Sequence, residues 1–385
     1  MHVTDPRATY DAWRAEPLAR DASGRPVLCR HADVVAAATD PATYSSTVSR
    51  FLQVPNGLDG AEHRAARDLL DPFFGPDRMA ELEPVIARVA AEVVAALPSE
   101  VDAVLDLGAR FAVRAQSAWL GWPAELEPEL LGWMADNHSA NRSGELVRTR
   151  EVAERFDAII RSLLDARRES PQSDVTTELV RLQDAAGEPR APHPSSRRMP
   201  GSADDSFTLS EEALVSVLRN WTGGDLGSLA LCTGVVAHWL VSHPEHQDEL
   251  LAADDAALDA AIDEILRIDD PFVSNRRLTT RDTAIGGQPI AAGERVVLNW
   301  TAANRDPAVF GDPDHYDPVG NAPHNLVYGI GPHVCPGRPL ATLELRLLVR
   351  ALLSAARLEP SEQRAERELP PLGGFSEVPV RLVRR

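Results

Sequence analysis

A chain of 385 residues with 44% hydrophobic and 25% charged residues is long enough to bury a sizeable core and too apolar to be disordered throughout. Its net charge of −19 comes without any basic stripe to meet phosphates, which disfavours nucleic acid and favours small molecules or proteins as partners; every fixed side-chain cation is arginine, since the sequence has no lysine. Cys29, Cys232 and Cys335 are odd in number and far apart, which argues against a disulfide framework and fits a reducing compartment.

From the N-terminus onward, MHVTDPRATYDAW lacks the basic region and apolar stretch of a signal peptide, and eighteen apolar residues never run together. A cytoplasmic protein without a membrane span is expected. A short strand is expected at Pro26–Cys29. Apolar residues at three- and four-residue spacing predict helices over Asp77–Leu97, Glu145–Arg168, Ser210–Ser242 and Asp255–Ile268. Between Ala186 and Ser206 the sequence AGEPRAPHPSSRRMPGSADDS is rich in proline, glycine and serine and reads as a flexible surface loop. Thr283–Ile290 carries Gly286-Gly287 as a hairpin turn, and Arg295–Asn299 reads as a further strand. The expectation is a mainly α protein with small β-sheets, one domain over residues 1–385.

The most informative stretch is Tyr328-Gly-Ile-Gly-Pro-His-Val-Cys335-Pro-Gly337-Arg-Pro-Leu340-Ala341, followed by an apolar helix over Thr342–Leu353. A loop that wraps under a flat cofactor needs positive φ and close backbone approach, which Gly329, Gly331 and Gly337 can supply. Cys335 then falls at a helix N-terminus, where the dipole and free N–H groups favour thiolate, and a thiolate can hold iron. The competing reading is a buried structural cysteine in a glycine-rich turn.

This stretch resembles the haem-binding loop of the cytochrome P450 family, aromatic-Gly-x-Gly-x-His-x-Cys-x-Gly-x-x-Leu-Ala. Tyr328 stands where the pattern usually has phenylalanine, which adds a hydroxyl that must find a partner. Pro336 follows the cysteine and is acceptable at the first position of a helix. The resemblance covers nearly the whole chain and implies a single-domain cytochrome P450 fold, haem b (iron protoporphyrin IX) as cofactor and Cys335 as the axial iron ligand. It further implies that His63, Arg67, Arg277 and His333 meet the two haem propionates, and that Glu264, Arg267 and His315 form a buried structural network.

Oxygen activation needs an opening in the helix across from the cysteine, with a proton route beside it. Asn220-Trp-Thr222-Gly-Gly-Asp225-Leu-Gly227-Ser228 is the candidate. Counted back from His243-Pro244-Glu245, the family's adjacent acid and threonine fall on Gly227 and Ser228, so the acid is missing. Asp225, three residues before Ser228, can share its wall and cooperate with it as a catalytic pair. Alternatively the glycines make room, and Asp225 caps a local distortion or pairs with an arginine. By resemblance the substrate pocket is lined by Asn220, Gly224, Phe272, Val273, Asn275 and the Gly373–Phe375 turn. The short connection between Tyr44 and His63 suits a small molecule or a large, flexible or short-peptide substrate.

The resemblance also implies a monomer that takes electrons from a separate ferredoxin and ferredoxin reductase, with Arg64 and Arg338 as a local basic patch for docking. Three activities remain open from sequence. The first is monooxygenation of a natural-product intermediate, the second oxidative cross-linking of aromatic residues in a short peptide, and the third a haem-containing recruitment module without turnover.

Overall fold

The computed structural model describes residues 5–187 and 207–385. Most of the loop expected at 186–206 lies outside the described residues; its first two residues instead close a helix ending at Gly187.

The helices run in chain order as α1 (Arg7–Ala15), α2 (His31–Thr39), α3 (Gly60–Leu70), α4 (Pro76–Ala95), α5 (Arg110–Leu120), α6 (Glu127–Ser143), α7 (Leu146–Glu169), α8 (Val175–Gly187), α9 (Glu211–Ser242), α10 (His246–Ala252), α11 (Asp255–Ile268), α12 (Trp300–Asn304), α13 (Pro307–Phe310) and α14 (Arg338–Ala355). The strands are β1 (Ala19–Arg20), β2 (Pro26–Leu28), β3 (Tyr44–Ser45), β4 (Glu100–Asp102), β5 (Ser274–Thr279), β6 (Thr283–Ile285), β7 (Gln288–Ile290), β8 (Arg295–Asn299), β9 (Ala356–Pro360), β10 (Glu366–Arg367), β11 (Phe375–Glu377) and β12 (Pro379–Arg384). The protein is mainly α with small sheets.

The axis of the molecule is α9. Ser210 caps its start by accepting the amide of Ala213 at 3.2 Å, and buried residues then line all sides of its second half, from Leu229 to Leu240. By length and composition α9 could cross a membrane, but 67% of its apolar window is buried inside the protein, as in the central helix of a folded core. A π-helical segment, Ala103–Ala109, leads into α5 and lies against α9. Two glycines permit that approach: a Cβ on Gly108 would meet Ala230 at 2.9 Å, and one on Gly234 would meet Val104 at 2.5 Å.

The larger sheet has the order β1-β2-β8-β5-β3, with β2 and β8 parallel and the other pairs antiparallel. It carries Arg277 on β5, opposite Val296 of β8. The expected hairpin is β6–β7, turned by Gly286 and Gly287 at φ 57° and 75°. A second sheet, β4-β12-β9, brings the chain end against α9 and α14.

Candidate functional site

The cysteine loop is bent by Gly329 and Gly331, at φ 71° and 80°, and closed by the Cys335 amide donating to the Tyr328 carbonyl at 2.9 Å. At Gly331 a side chain is barred twice, since a Cβ would lie 2.8 Å from the Ala38 carbonyl. Gly337 differs from expectation. Its φ is −79°, it serves as the N-cap of α14, and a Cβ there would make ordinary contacts with Phe74 and the Cys335 sulfur. Pro336 precedes the cap, so the proline in the first turn is Pro339.

The Cys335 residue is open to solvent although protein flanks it on most sides. Burial raises the pKa of its thiol, while the amides of Gly337 and Arg338 pull it down and lose. Coordination to a metal would displace the proton.

Tyr328 is enclosed, and its hydroxyl has Thr342 Oγ1 at 3.4 Å as partner. Arg338 stacks over its ring at 5.0 Å while pairing with Asp263 at 3.0 Å. Arg346 and Arg350 of α14 likewise meet Asp259 and Asp255 of α11. The expected basic patch is thus half neutralised: Arg338 is paired, whereas Arg64 is exposed.

Arginine and histidine side chains gather beside the loop. His63 and His333 face each other with ring centroids 4.1 Å apart. His333 Nε2 is 3.1 Å from Asp59, while His63 Nε2 is buried without a partner. Burial drives the His63 pKa down to about 4, aided by His333 and Arg67. Arg277 is buried on β5, and its guanidinium donates only to the Arg276 carbonyl at 2.9 Å, with no carboxylate bonded to it among the described residues. A buried guanidinium and a buried imidazole nitrogen, both short of acceptors, fit the carboxylates of a haem. Arg67 is committed elsewhere: it pairs with Asp71 at 2.5 Å and donates to the Pro332 and Val334 carbonyls, bracing the loop.

On α9, Gly224, Asp225, Gly227 and Ser228 are partly exposed in a helix whose neighbouring residues are buried. A Cβ on Gly224 would meet nothing within 4 Å. Asp225 is close enough for its charge to raise the pKa of the Cys335 thiol. Burial raises the pKa of Asp225 and of the nearby Glu344 on α14, and no arginine is hydrogen-bonded to Asp225 among the described residues. Gly227 faces α6, where a Cβ would lie 3.0 Å from His138 Nε2.

Several expected pocket residues are used otherwise. Asn220 donates to the Val54 carbonyl at 2.9 Å, and with Ser216 and Arg219, which bond to Leu52 and Val54, it fastens the 46–59 connection to α9. That connection is short, as expected, but tied down. Val273 is in the core, and Phe375 is buried between His238, stacked at 4.2 Å, and Arg367 at 4.1 Å. Phe272 and Asn275 are exposed. His315 enters the Glu264–Arg267 network through its backbone carbonyl only, 3.1 Å from Arg267, because its side chain is on the surface.

Sequence reading missed Glu344, His138 and Asp59. Glu344 had a signal: it interrupts the apolar face Leu340–Leu348 of a helix at four-residue spacing. His138 and Asp59 had none, since their partners are remote in sequence.

A family model for cytochrome P450 matches residues 256–382. The 6-deoxyerythronolide B hydroxylase of Saccharopolyspora erythraea is 30% identical over 304 residues, 76% of this chain and 68% of that protein. Cyclomarin C epoxidase CymV of Salinispora arenicola is 29% identical over 344 residues, 84% of this chain and 82% of that protein. Among solved structures, a mutant of P450 EryK in complex with erythromycin B superposes with a TM-score of 0.84 at 26% identity, over 98% of this chain and 95% of that one. The chain belongs to the cytochrome P450 family and is of the bacterial type. It is accordingly an oxidoreductase, a monooxygenase with haem b as its cofactor.

Proposed function

We propose that the protein oxidises a natural-product intermediate, with Cys335 as axial ligand of the haem iron and a ferredoxin and its reductase as electron source. The observation that carries the ligand assignment is the open Cys335, set beside Arg277 and His63, two buried groups with unmet hydrogen-bonding capacity. When bound, the haem supplies an iron at which dioxygen is activated with two electrons, and thiolate ligation favours O–O cleavage. The protein's own contribution is to hold the sulfur on a loop bent by two glycines, to bond the propionates with the Arg277 cation and the His63 and His333 ring nitrogens, and to keep Asp225 and Ser228 on the opposite wall. The substrate class is supported by the relatives named for cyclomarin C, 6-deoxyerythronolide B and erythromycin B.

The reduced protein under carbon monoxide should give the red-shifted Soret band of thiolate ligation, and Cys335→Ser should lose it while keeping the fold. A wild-type carbonyl spectrum without that band would rule the ligand assignment out. Candidate substrates are then screened by loss of the iron-bound water signal and by product mass: gain of one oxygen marks insertion.

Oxidative cross-linking of a short peptide is the second reading. One observation favours it: His138 takes the space beside Gly227, so Ser228 has no acid next to it for ordinary insertion chemistry. Loss of two hydrogens from a tyrosine- or tryptophan-containing peptide, without oxygen gain, would put this reading first. The recruitment-module reading has no observation in its favour. For electron supply, reversing the charge of Arg64 should slow reduction by a surrogate ferredoxin and weaken its salt dependence. Reversal at Arg338 should do less, because Asp263 already neutralises it.

A further inference from the structure

We infer that Arg276 and Arg295, flanked by Arg25 and Arg50, form an anion-binding patch at the rim of the substrate cavity, and that the substrate is an amphiphile ending in a carboxylate or a phosphate. The inference rests on the proposed oxidation of a small molecule beside α9 and names the chemistry of what enters.

Strand register gathers the cations. In the β5–β8 pair Arg276 is opposite Val297 and Leu278 is opposite Arg295, so these four side chains share one face and the two arginines are diagonal neighbours. Arg277 lies on the other face, opposite Val296. Across β8, β2 runs parallel with Val27 beside Val297, which brings Arg25, two residues earlier, level with Arg295.

These cations are underpaired. Arg25 has Asp21 at 2.7 Å. The exposed Arg295 donates to the Val48 carbonyl at 3.0 Å and to no carboxylate among the described residues. The exposed Arg276 feels no described carboxylate; burial, then the charges of Arg25 and Arg295, lower its pKa. An arginine keeps its charge even so. The chain has 58 acidic residues to 39 basic ones, yet only one acid is spent on this cluster. Like charges side by side repel, and an anion seated between them relieves the repulsion. Guanidinium forks match the oxygens of a carboxylate or phosphate in two-pronged contacts.

Apolar surface leads inward from the patch. Val48, which holds Arg295, belongs to the connection that α9 fastens at Leu52 and Val54 through Ser216, Arg219 and Asn220. In that stretch Phe51 and Leu52 are 57% and 43% exposed, and the exposed Arg50 lies over the Phe51 ring at 5.2 Å. The six residues from Val48 to Val54 span at most about 20 Å. Asn220 is one turn before Gly224, where α9 is open. An anionic head on the arginines therefore leaves an apolar body free to run along Phe51 and Leu52 toward α9.

Binding to the haem-loaded full chain is measured by calorimetry with three probes of one chain length, dodecanoate, dodecyl phosphate and dodecanol, below micellar concentrations. At least one anion should bind roughly 10-fold or more tighter than the alcohol, an advantage that fades in high salt because the patch is exposed. Arg276→Gln, whose side chain bonds to no described residue, and Arg295→Gln should each remove most of that advantage and leave dodecanol binding unchanged. Arg88→Gln, at an exposed site on α4, should leave all three affinities as they are. Preference for dodecanoate marks the head as a free acid, and preference for dodecyl phosphate marks it as the phosphate of a larger molecule. Equal affinity for all three probes, or anion binding that survives both substitutions, overturns the inference. So does a variant that slows reduction by a surrogate ferredoxin but binds the anions like the wild type, since the patch would then serve an acidic protein. A wild-type carbonyl spectrum without thiolate character overturns the haem assignment instead, and calorimetry reports on the arginines regardless.

Discussion

Even a methyl group at position 227 would press on His138: the Cβ would sit 3.0 Å from Nε2, so the ring on α6 would have to yield by a few tenths of an ångström. Gly227→Asp, which would restore the family's acid beside Ser228, should therefore lower stability by about 1–3 kcal/mol through overpacking. His138→Ala in the same chain should recover much of that loss, giving a coupling energy in a double-mutant cycle of urea unfolding; additive effects would show that the two residues do not compete for space. Arg277 presents the opposite situation, a buried cation short of an anion. If Arg277 bonds a propionate as proposed, replacing it with leucine removes one charge-assisted hydrogen bond worth about 1.5–3 kcal/mol. Haem loss to an acceptor apoprotein should then be roughly 10- to 100-fold faster, and an unchanged rate would place the propionates elsewhere. That His63 and His333 lie together beside the Cys335 loop was legible, because a spaced motif and an ordered series of landmarks carried them. The nearness of Asp225 to Glu344 was not, because it follows only from how α9 and α14 pack.

Between elements, the Glu264–Arg267 pair shows what α11 contributes. Both side chains are fully buried, joined by two hydrogen bonds of 2.7 and 2.8 Å. The guanidinium also donates to the carbonyls of Asn304, Pro313 and His315, while Glu264 Oε1 accepts from the Asp317 amide and from Asn321. One buried pair thus fastens α11 to α12 and to the long segment that leads to the cysteine loop. Arg267→Ala should cost about 3–5 kcal/mol, since it strands a buried carboxylate. Arg346→Ala breaks the Asp259 pair on the more open α11–α14 seam and should cost about 1 kcal/mol or less; urea midpoints of the two variants with intact haem check the ranking. The positions of α4, α7 and α9 were readable to within two residues and that of α11 to both ends, because apolar periodicity is local, whereas α14 begins at Arg338, four residues before the expected Thr342. The π-helical Ala103–Ala109 segment and the short strands β1, β3, β4 and β10 were not read, since the first has no composition of its own and the others exist only through their partners, whereas β2 and the β6–β7 hairpin were. His315 was misassigned for a related reason: sequence order gave its place beside Arg267 but not that the backbone would do the bonding.

Over the whole molecule, charge and buried acids act in one direction as pH rises. The chain carries a net charge of −19 near neutrality, so deprotonation adds to self-repulsion in the folded state. Burial raises the pKa of Asp270 and Glu344 well above the ordinary carboxylate range and brings Asp263 to about 6. These groups lose their protons near pH 4 when unfolded and at higher pH when folded, so through that window the folded state binds more protons. Their stabilising contribution is complete below pH 4 and disappears as pH rises through the folded values. His63, with its pKa lowered to about 4, works the other way: its contribution is present above 6.5 and is lost as pH falls toward 4. Burial lowers the pKa of His138 and His238 in the same direction as His63, and above about 6.5 all three are neutral whether folded or unfolded, so urea stability should decline from about pH 6.5 to 8 as the raised acids lose their protons. Each acid that remains protonated in the fold contributes a slope of about 1.4 kcal/mol per pH unit. Asp270→Asn tests the origin of that slope. The amide keeps an acceptor for the Phe272 N–H, yet it cannot titrate, so the decline should become shallower by up to one proton's worth while the ranking of the variants at pH 5 changes little. A slope that is identical in the variant, or that vanishes in high salt, would assign the whole decline to the surface charge and leave Asp270 ionised in the core.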